Sequence, residues 1–110
     1  MNAETAKIRT LTSKQRIEDN KLSLVDSESI PRIETLKAFV GKAADGGVNS
    51  AGICIYYHNH HGGKNVPWAL EEWLAERVAY QIRREMRKLG YEVEMCNSSA
   101  LYTYTVTVSW

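Results

Sequence analysis

The last twenty residues constrain the fold most, because apolar and polar side chains alternate there in two stretches. Residues 91–95 alternate cleanly, and residues 101–110 alternate over ten positions. A period of two is typical of strands that bury one face. The segment between them, Cys96-Asn97-Ser98-Ser99, has the composition of a turn, so the pattern predicts a β-hairpin.

A third strand is predicted over residues 51–58, which are rich in β-forming side chains and have glycines nearby on either side. The alternation places one set of side chains on an inner face: Ile53, Ile55 and Tyr57. It places the other set on the opposite face: Cys54, Tyr56, His58 and His60.

Two helices are predicted from periodicity and from end signals. The first covers residues 31–44, with Ser29 as its cap, Pro31 in its first turn and a stop at Asp45-Gly46-Gly47. The second begins at Pro67 and ends before Gly90, with acidic residues early and basic residues late. Its apolar stripe is Leu70, Leu74, Ala75, Val78, Ala79, Ile82, Met86 and Leu89.

Residues 1–28 are interpreted as a polar N-terminal arm, partly ordered, that precedes a single α/β domain at residues 29–110. The arm contains no aromatic residue, its five basic residues balance five acidic ones, and its aliphatic spacing fits neither a helix nor a strand. An alternative is a short helix over Ser13–Lys21.

The order α-β-α-β-β predicts an α+β fold, a two-layer α/β sandwich. Two helices cover one face of a three-stranded mixed sheet, and a threonine-lined face remains open. The last strand lies either between the other two or at an edge. An edge position would leave its unpaired backbone groups available for association.

Composition indicates one ordinary globular domain. The chain has 110 residues, 44% of them hydrophobic and 25% charged, and a formal net charge of +1. Such a small net charge provides no global attraction for nucleic acid or an anionic membrane. The chain contains no apolar run of membrane-spanning length. Without a signal-like N-terminus, we expect a cytoplasmic protein with reduced Cys54 and Cys96.

Every histidine lies in the stretch YYHNHHGG, residues 56–63. One interpretation is a metal site with ligands His58, His60 and His61, although Cys54 is roughly 13 Å from His58 along a strand and cannot share that ion. A second interpretation is a polar strand end. A third is a recognition surface that comprises Tyr56, His58 and His60. No cofactor-binding motif is present, so no cofactor is expected.

The outer face of the second predicted helix carries Trp73, Arg77, Tyr80 and Arg84 in one line, and Arg87 flanks it. These residue types dominate protein–protein hot spots, and they also contact phosphates and bases. An alternative is that Trp73 and Tyr80 pack beneath the first helix or the arm.

The sequence therefore predicts a non-enzymatic interaction protein: an inhibitor, adaptor or assembly subunit, oligomeric, and of a size that suits a phage or mobile-element accessory protein. It binds a protein partner or itself, and no membrane. One alternative is a nucleic-acid-binding protein that uses the basic helix end and the open sheet face. Another is a small metal-dependent enzyme centred on the histidine stretch.

Overall fold

The computed structural model of the chain describes residues 2–58 and 68–110. Their elements follow the predicted α-β-α-β-β order, and the α+β class with helices packed on one sheet is confirmed. The elements are α1 (Ala3–Asp45), β1 (Ser50–Tyr56), α2 (Glu72–Lys88), β2 (Glu92–Ser98) and β3 (Thr103–Ser109).

The three strands form a sheet in the order β1-β3-β2, in which both hydrogen-bonded pairs are antiparallel. The predicted mixed sheet is therefore wrong, because β3 separates the two strands that run in the same direction. The alternative that placed the last strand at an edge is also wrong. Val106 of β3 pairs with Ile53 on one side and with Met95 on the other, and the edge strands are β1 and β2.

The core lies between the sheet and the two helices. The inner face of β1 and the alternating apolar side chains of β3 point into it, as predicted, and β2 contributes partly buried side chains from the same face. Trp110 continues the alternation of β3 but is not buried. It follows the end of β3, remains exposed, and packs edge-to-face on Tyr91 with 6.0 Å between ring centroids.

Helix α1 begins at Ala3, so the predicted helix start at residue 31 is wrong, and residues 3–28, assigned from sequence to the arm, are helical. The Asn2 side chain caps the helix, and its Oδ1 accepts a hydrogen bond from the Thr5 N–H at 2.8 Å. Pro31 lies inside the helix. The alternative helix over residues 13–21 is part of this longer element.

A buried stripe explains why the helix continues through Pro31. Its members, spaced three or four residues apart, are Val25, Ser29, Ile33, Leu36 and Val40. The Ser29 hydroxyl is buried and donates to the Val25 carbonyl oxygen at 2.7 Å, so its polar group is satisfied. Phe39 does not belong to this stripe and is 41% exposed.

The N-terminal end of α1, before Glu18, extends beyond the rest of the molecule. A helix of 43 residues is about 64 Å long at 1.5 Å per residue, close to the longest molecular dimension of 67 Å. The radius of gyration is 17.9 Å, whereas a compact chain of this length has about 13 Å.

Helix α2 begins at Glu72, five residues after the predicted start at Pro67, which lies outside the described residues. Leu70 instead extends the sheet edge: its N–H donates to the Tyr56 carbonyl and its carbonyl accepts from the His58 N–H, each at 2.9 Å. The rest of the predicted apolar stripe is confirmed as buried, except for Leu89, which follows the helix and is exposed.

The buried tyrosines predict a loss of stability at high pH. Burial, aided by the Glu76 charge, raises the pKa of Tyr104 to about 12 from an ordinary 10.0, and burial likewise raises the pKa of Tyr57. The folded state therefore holds these protons more tightly than the unfolded state. The contribution of these tyrosines to stability is expected to be fully present below pH 10 and to decrease as pH rises from 10 towards 12. Urea unfolding at pH 8, 10 and 11 measures this decrease.

The Tyr104→Phe variant provides the control for this titration, because phenylalanine keeps the ring and removes the ionisable hydroxyl. Its stability is expected to decrease less steeply above pH 10 than that of the original protein. The same slope in both proteins would show that Tyr104 does not cause the decrease.

Candidate interaction surface

The predicted outer-face residues of α2 lie beside the N-terminal half of α1. Trp73 is 37% exposed and Tyr80 is 42% exposed, so neither is a core residue. The Trp73 ring has the Lys21 ammonium 5.5 Å from its centroid and the Arg77 guanidinium 5.7 Å away. These cation–π contacts hold the indole between the helices and leave part of it accessible.

Two polar contacts join the helices across this surface. Arg77 Nη1 lies 3.1 Å from Glu18 Oε1, and the Gln81 amide donates to Asp26 Oδ1 at 2.7 Å. Exposed pairs of this kind contribute modestly to stability, roughly 0.2 to 1 kcal/mol. Their main effect is to fix how residues 18–26, assigned from sequence to the arm, lie against α2.

The two helices enclose an open groove of about 830 Å³, which we call the α1–α2 groove. Four of the five partner-binding residues predicted from sequence line the groove, and the fifth, Trp73, precedes them along α2. The lining residues are Glu18, Leu22, Val25, Arg77, Tyr80, Gln81, Arg83, Arg84, Arg87 and Lys88.

The lining of the groove combines apolar and basic side chains. Its apolar residues are Leu22, 54% exposed, the aromatic ring of Tyr80, and the buried Val25. The lining also contains five cations: Arg77, Arg83, Arg84, Arg87 and Lys88. One carboxylate, Glu18, shares the lining with them.

Arg83, Arg84 and Lys88 differ in the groups that they contact. Arg84 and Lys88 approach Glu85 at 3.5 and 3.2 Å, so one carboxylate serves two charges. The Arg83 guanidinium stacks 4.7 Å from the centroid of Tyr80. The cations near the C-terminal end of α2 also interact favourably with its dipole, but this interaction leaves their donors accessible to a ligand.

The second predicted surface, formed by Tyr56, His58 and His60, is only partly described. Tyr56 is 39% exposed on the open sheet face, and His58 is half-buried at the end of β1 with its Nε2 3.8 Å from Glu71 Oε1. His60 lies outside the described residues. Tyr56 and His58 therefore remain candidates, and neither touches the α1–α2 groove.

The predicted metal ligands are also only partly described, because His60 and His61 lie outside the described residues. Within residues 2–58 and 68–110, no group of three histidine, cysteine or acidic side chains could hold a metal ion. Cys54 and Cys96 are free thiols on the two edge strands, and both pair with Thr105 of the central strand.

Sequence reasoning missed the residues that α1 contributes, above all Glu18, Lys21 and Leu22. A signal for them exists in the spacing Leu11, Leu22, Val25, Ser29, since all four fall on the face that α1 buries further along. The signal is faint, because Gln15 and Glu18 interrupt the apolar stripe.

Comparisons with protein-family models, curated proteins and solved structures found no match. None of the helices within the described ranges combines the length and the apolar character needed to cross a membrane. The function proposed below is therefore based on the chemistry of the surface alone.

Proposed function

We propose that this chain is a non-enzymatic interaction protein that binds a partner protein at the α1–α2 groove. The observation that carries this proposal is the groove itself, whose lining combines an exposed leucine and an exposed tyrosine with four arginines. Aromatic and arginine side chains around an apolar centre are typical of the residues that contribute most binding energy in protein interfaces.

A nucleic-acid partner is the second candidate, because four cations lie within residues 83–88 of α2. Phosphates would pair with these side chains. Phosphates would gain nothing from Leu22, which lines the groove beside these cations. The apolar part of the lining therefore favours a protein partner over nucleic acid.

Photo-cross-linking in cells that naturally contain the protein tests this proposal. A photoreactive phenylalanine analogue replaces Tyr80 in one version and Tyr56 in another. The two tyrosines are matched in chemistry and exposure but lie on the two candidate surfaces. We expect a discrete protein adduct from position 80, because a partner bound at the groove would lie within reach of the probe. We expect none from position 56, which lies outside the groove.

Other outcomes assign the function differently. An adduct from position 56 alone would move the interaction to the open sheet face. An adduct from position 80 that nuclease treatment removes would favour the nucleic-acid alternative. No adduct at position 80 would overturn the proposal.

A further inference from the structure

We infer that the partner inserts an acidic amphipathic helix into the α1–α2 groove. This inference rests on the function proposed above and adds the chemical class and the secondary structure of the bound segment. Charge, backbone chemistry and the exclusion of a second copy support it in turn.

The charge of the groove favours an acidic segment as its occupant. The groove is lined by five cations and one carboxylate, and that carboxylate, Glu18, is already paired with Arg77. Arg83 and Arg87 have no carboxylate within ion-pair distance among the described residues. Carboxylates on a bound segment would form charge-assisted hydrogen bonds with these guanidinium groups, while apolar side chains contact Leu22 and Tyr80.

Backbone chemistry distinguishes a helix from an extended peptide. Extended peptides that add a strand to a sheet bind by main-chain hydrogen bonds to an exposed strand edge. The walls of this groove are two helices, whose interior backbone groups already bond within each helix. The walls therefore offer no backbone partners, and a helix needs none because it satisfies its own backbone. A helix also fits the furrow between two neighbouring helices, at interaxial distances of about 8–10 Å.

A second copy of the chain is a poor occupant. The N-terminal part of α1, residues 3–16, is largely exposed, and it carries four cations against Glu4 alone. Placing that segment in the basic groove would bring like charges together, which disfavours binding. The segment that fits has the opposite charge, which favours a segment of another protein.

The test uses a synthetic, fluorescein-labelled 21-residue peptide with leucines at helical spacing and glutamates on its other faces. A matched peptide replaces every glutamate by lysine, and a scrambled peptide keeps the acidic composition without a leucine face. Fluorescence anisotropy with the full chain at 50, 150 and 300 mM salt measures binding. We expect the acidic helix to bind at least tenfold more tightly than either control, and its affinity to decrease with salt.

Charge reversal in the protein gives the second arm. The double variant Arg84→Glu/Arg87→Glu is expected to bind the acidic peptide at least tenfold more weakly, and Leu22→Ser several-fold more weakly. A variant with the same change in net charge, Lys37→Glu/Lys42→Glu, lies on α1 away from the groove and is expected to bind as the original protein does. Circular dichroism verifies that each variant retains its helical content.

Each alternative result has a defined meaning. Equal binding of the acidic and scrambled peptides would show charge attraction without a helix site, and would overturn the inference. Tighter binding of a 20-base-pair DNA duplex at 150 mM salt would do the same in favour of nucleic acid. A protein adduct at position 80 without acidic-peptide binding would overturn the inference and leave the proposed function intact, whereas failure of both experiments would overturn both.

Discussion

Replacing Leu36 by alanine is expected to lower the free energy of unfolding by about 2–5 kcal/mol. Leu36 is fully buried in the stripe by which α1 packs on the core. Its truncation removes apolar contacts and leaves a cavity where the sheet, α1 and α2 meet. Small domains have total stabilities of about 5–15 kcal/mol, so this loss is a large fraction of the total. Urea unfolding monitored by circular dichroism measures the change.

Leu11 provides a matched control on the same face of the same helix. It is 66% exposed, and Leu11→Ala is expected to change stability by no more than about 0.5 kcal/mol, as is usual for surface positions. If the two variants had equal effects, α1 would not divide into a packed half and an exposed half. A large loss of stability in Leu11→Ala alone would mean that another molecule buries the Leu11 side chain.

Replacing Pro31 by alanine is expected to raise the free energy of unfolding by about 1–3 kcal/mol. Pro31 lies inside α1, where it cannot donate a hydrogen bond to the Ser27 carbonyl and where its ring crowds that carbonyl. Alanine restores the bond and is favoured over proline by about 3 kcal/mol in a helix interior. Because Pro31 is exposed, the smaller side chain sacrifices little packing.

The sign of the stability change in Pro31→Ala distinguishes a helix that begins at Ala3 from one that begins at Pro31. In the first turn, proline is well tolerated and reduces the entropy of the unfolded chain. If the helix began at Pro31, the alanine variant would be unchanged or less stable. Thr35 provides a control, since Thr35→Ala at another exposed position of α1 is expected to change stability by no more than about 0.5 kcal/mol.

The sheet and α2 were predictable because each buries a regular pattern on one face. The alternation in residues 101–110 identified the inner face of β3, and the apolar spacing of α2 identified its buried stripe. Strand order was not predictable, since alternation shows which face of β3 is buried but not which strands flank it. The start of α2 was missed because residues 68–71 form a turn and an edge pairing with β1, which depends on tertiary contacts.

Helix α1 shows the limit of periodicity as a signal. Residues 3–24 expose their apolar side chains, so this segment lacks the continuous buried stripe from which helices are recognised. Pro31 in turn resembled a helix start. The α2 wall of the groove was therefore identified from sequence through Arg77, Tyr80, Arg84 and Arg87. The wall formed by α1 was not, because it depends on how α1 packs against α2.

The exposed length of α1 affects how the molecule moves in solution. A rod about 64 Å long attached to a small domain tumbles slowly about its short axes and experiences more friction than a sphere of equal mass. On gel filtration a single chain would elute early, at a position that suggests two subunits. Counting subunits therefore requires a method that measures mass directly, such as light scattering or native mass spectrometry, before any elution volume is interpreted as association.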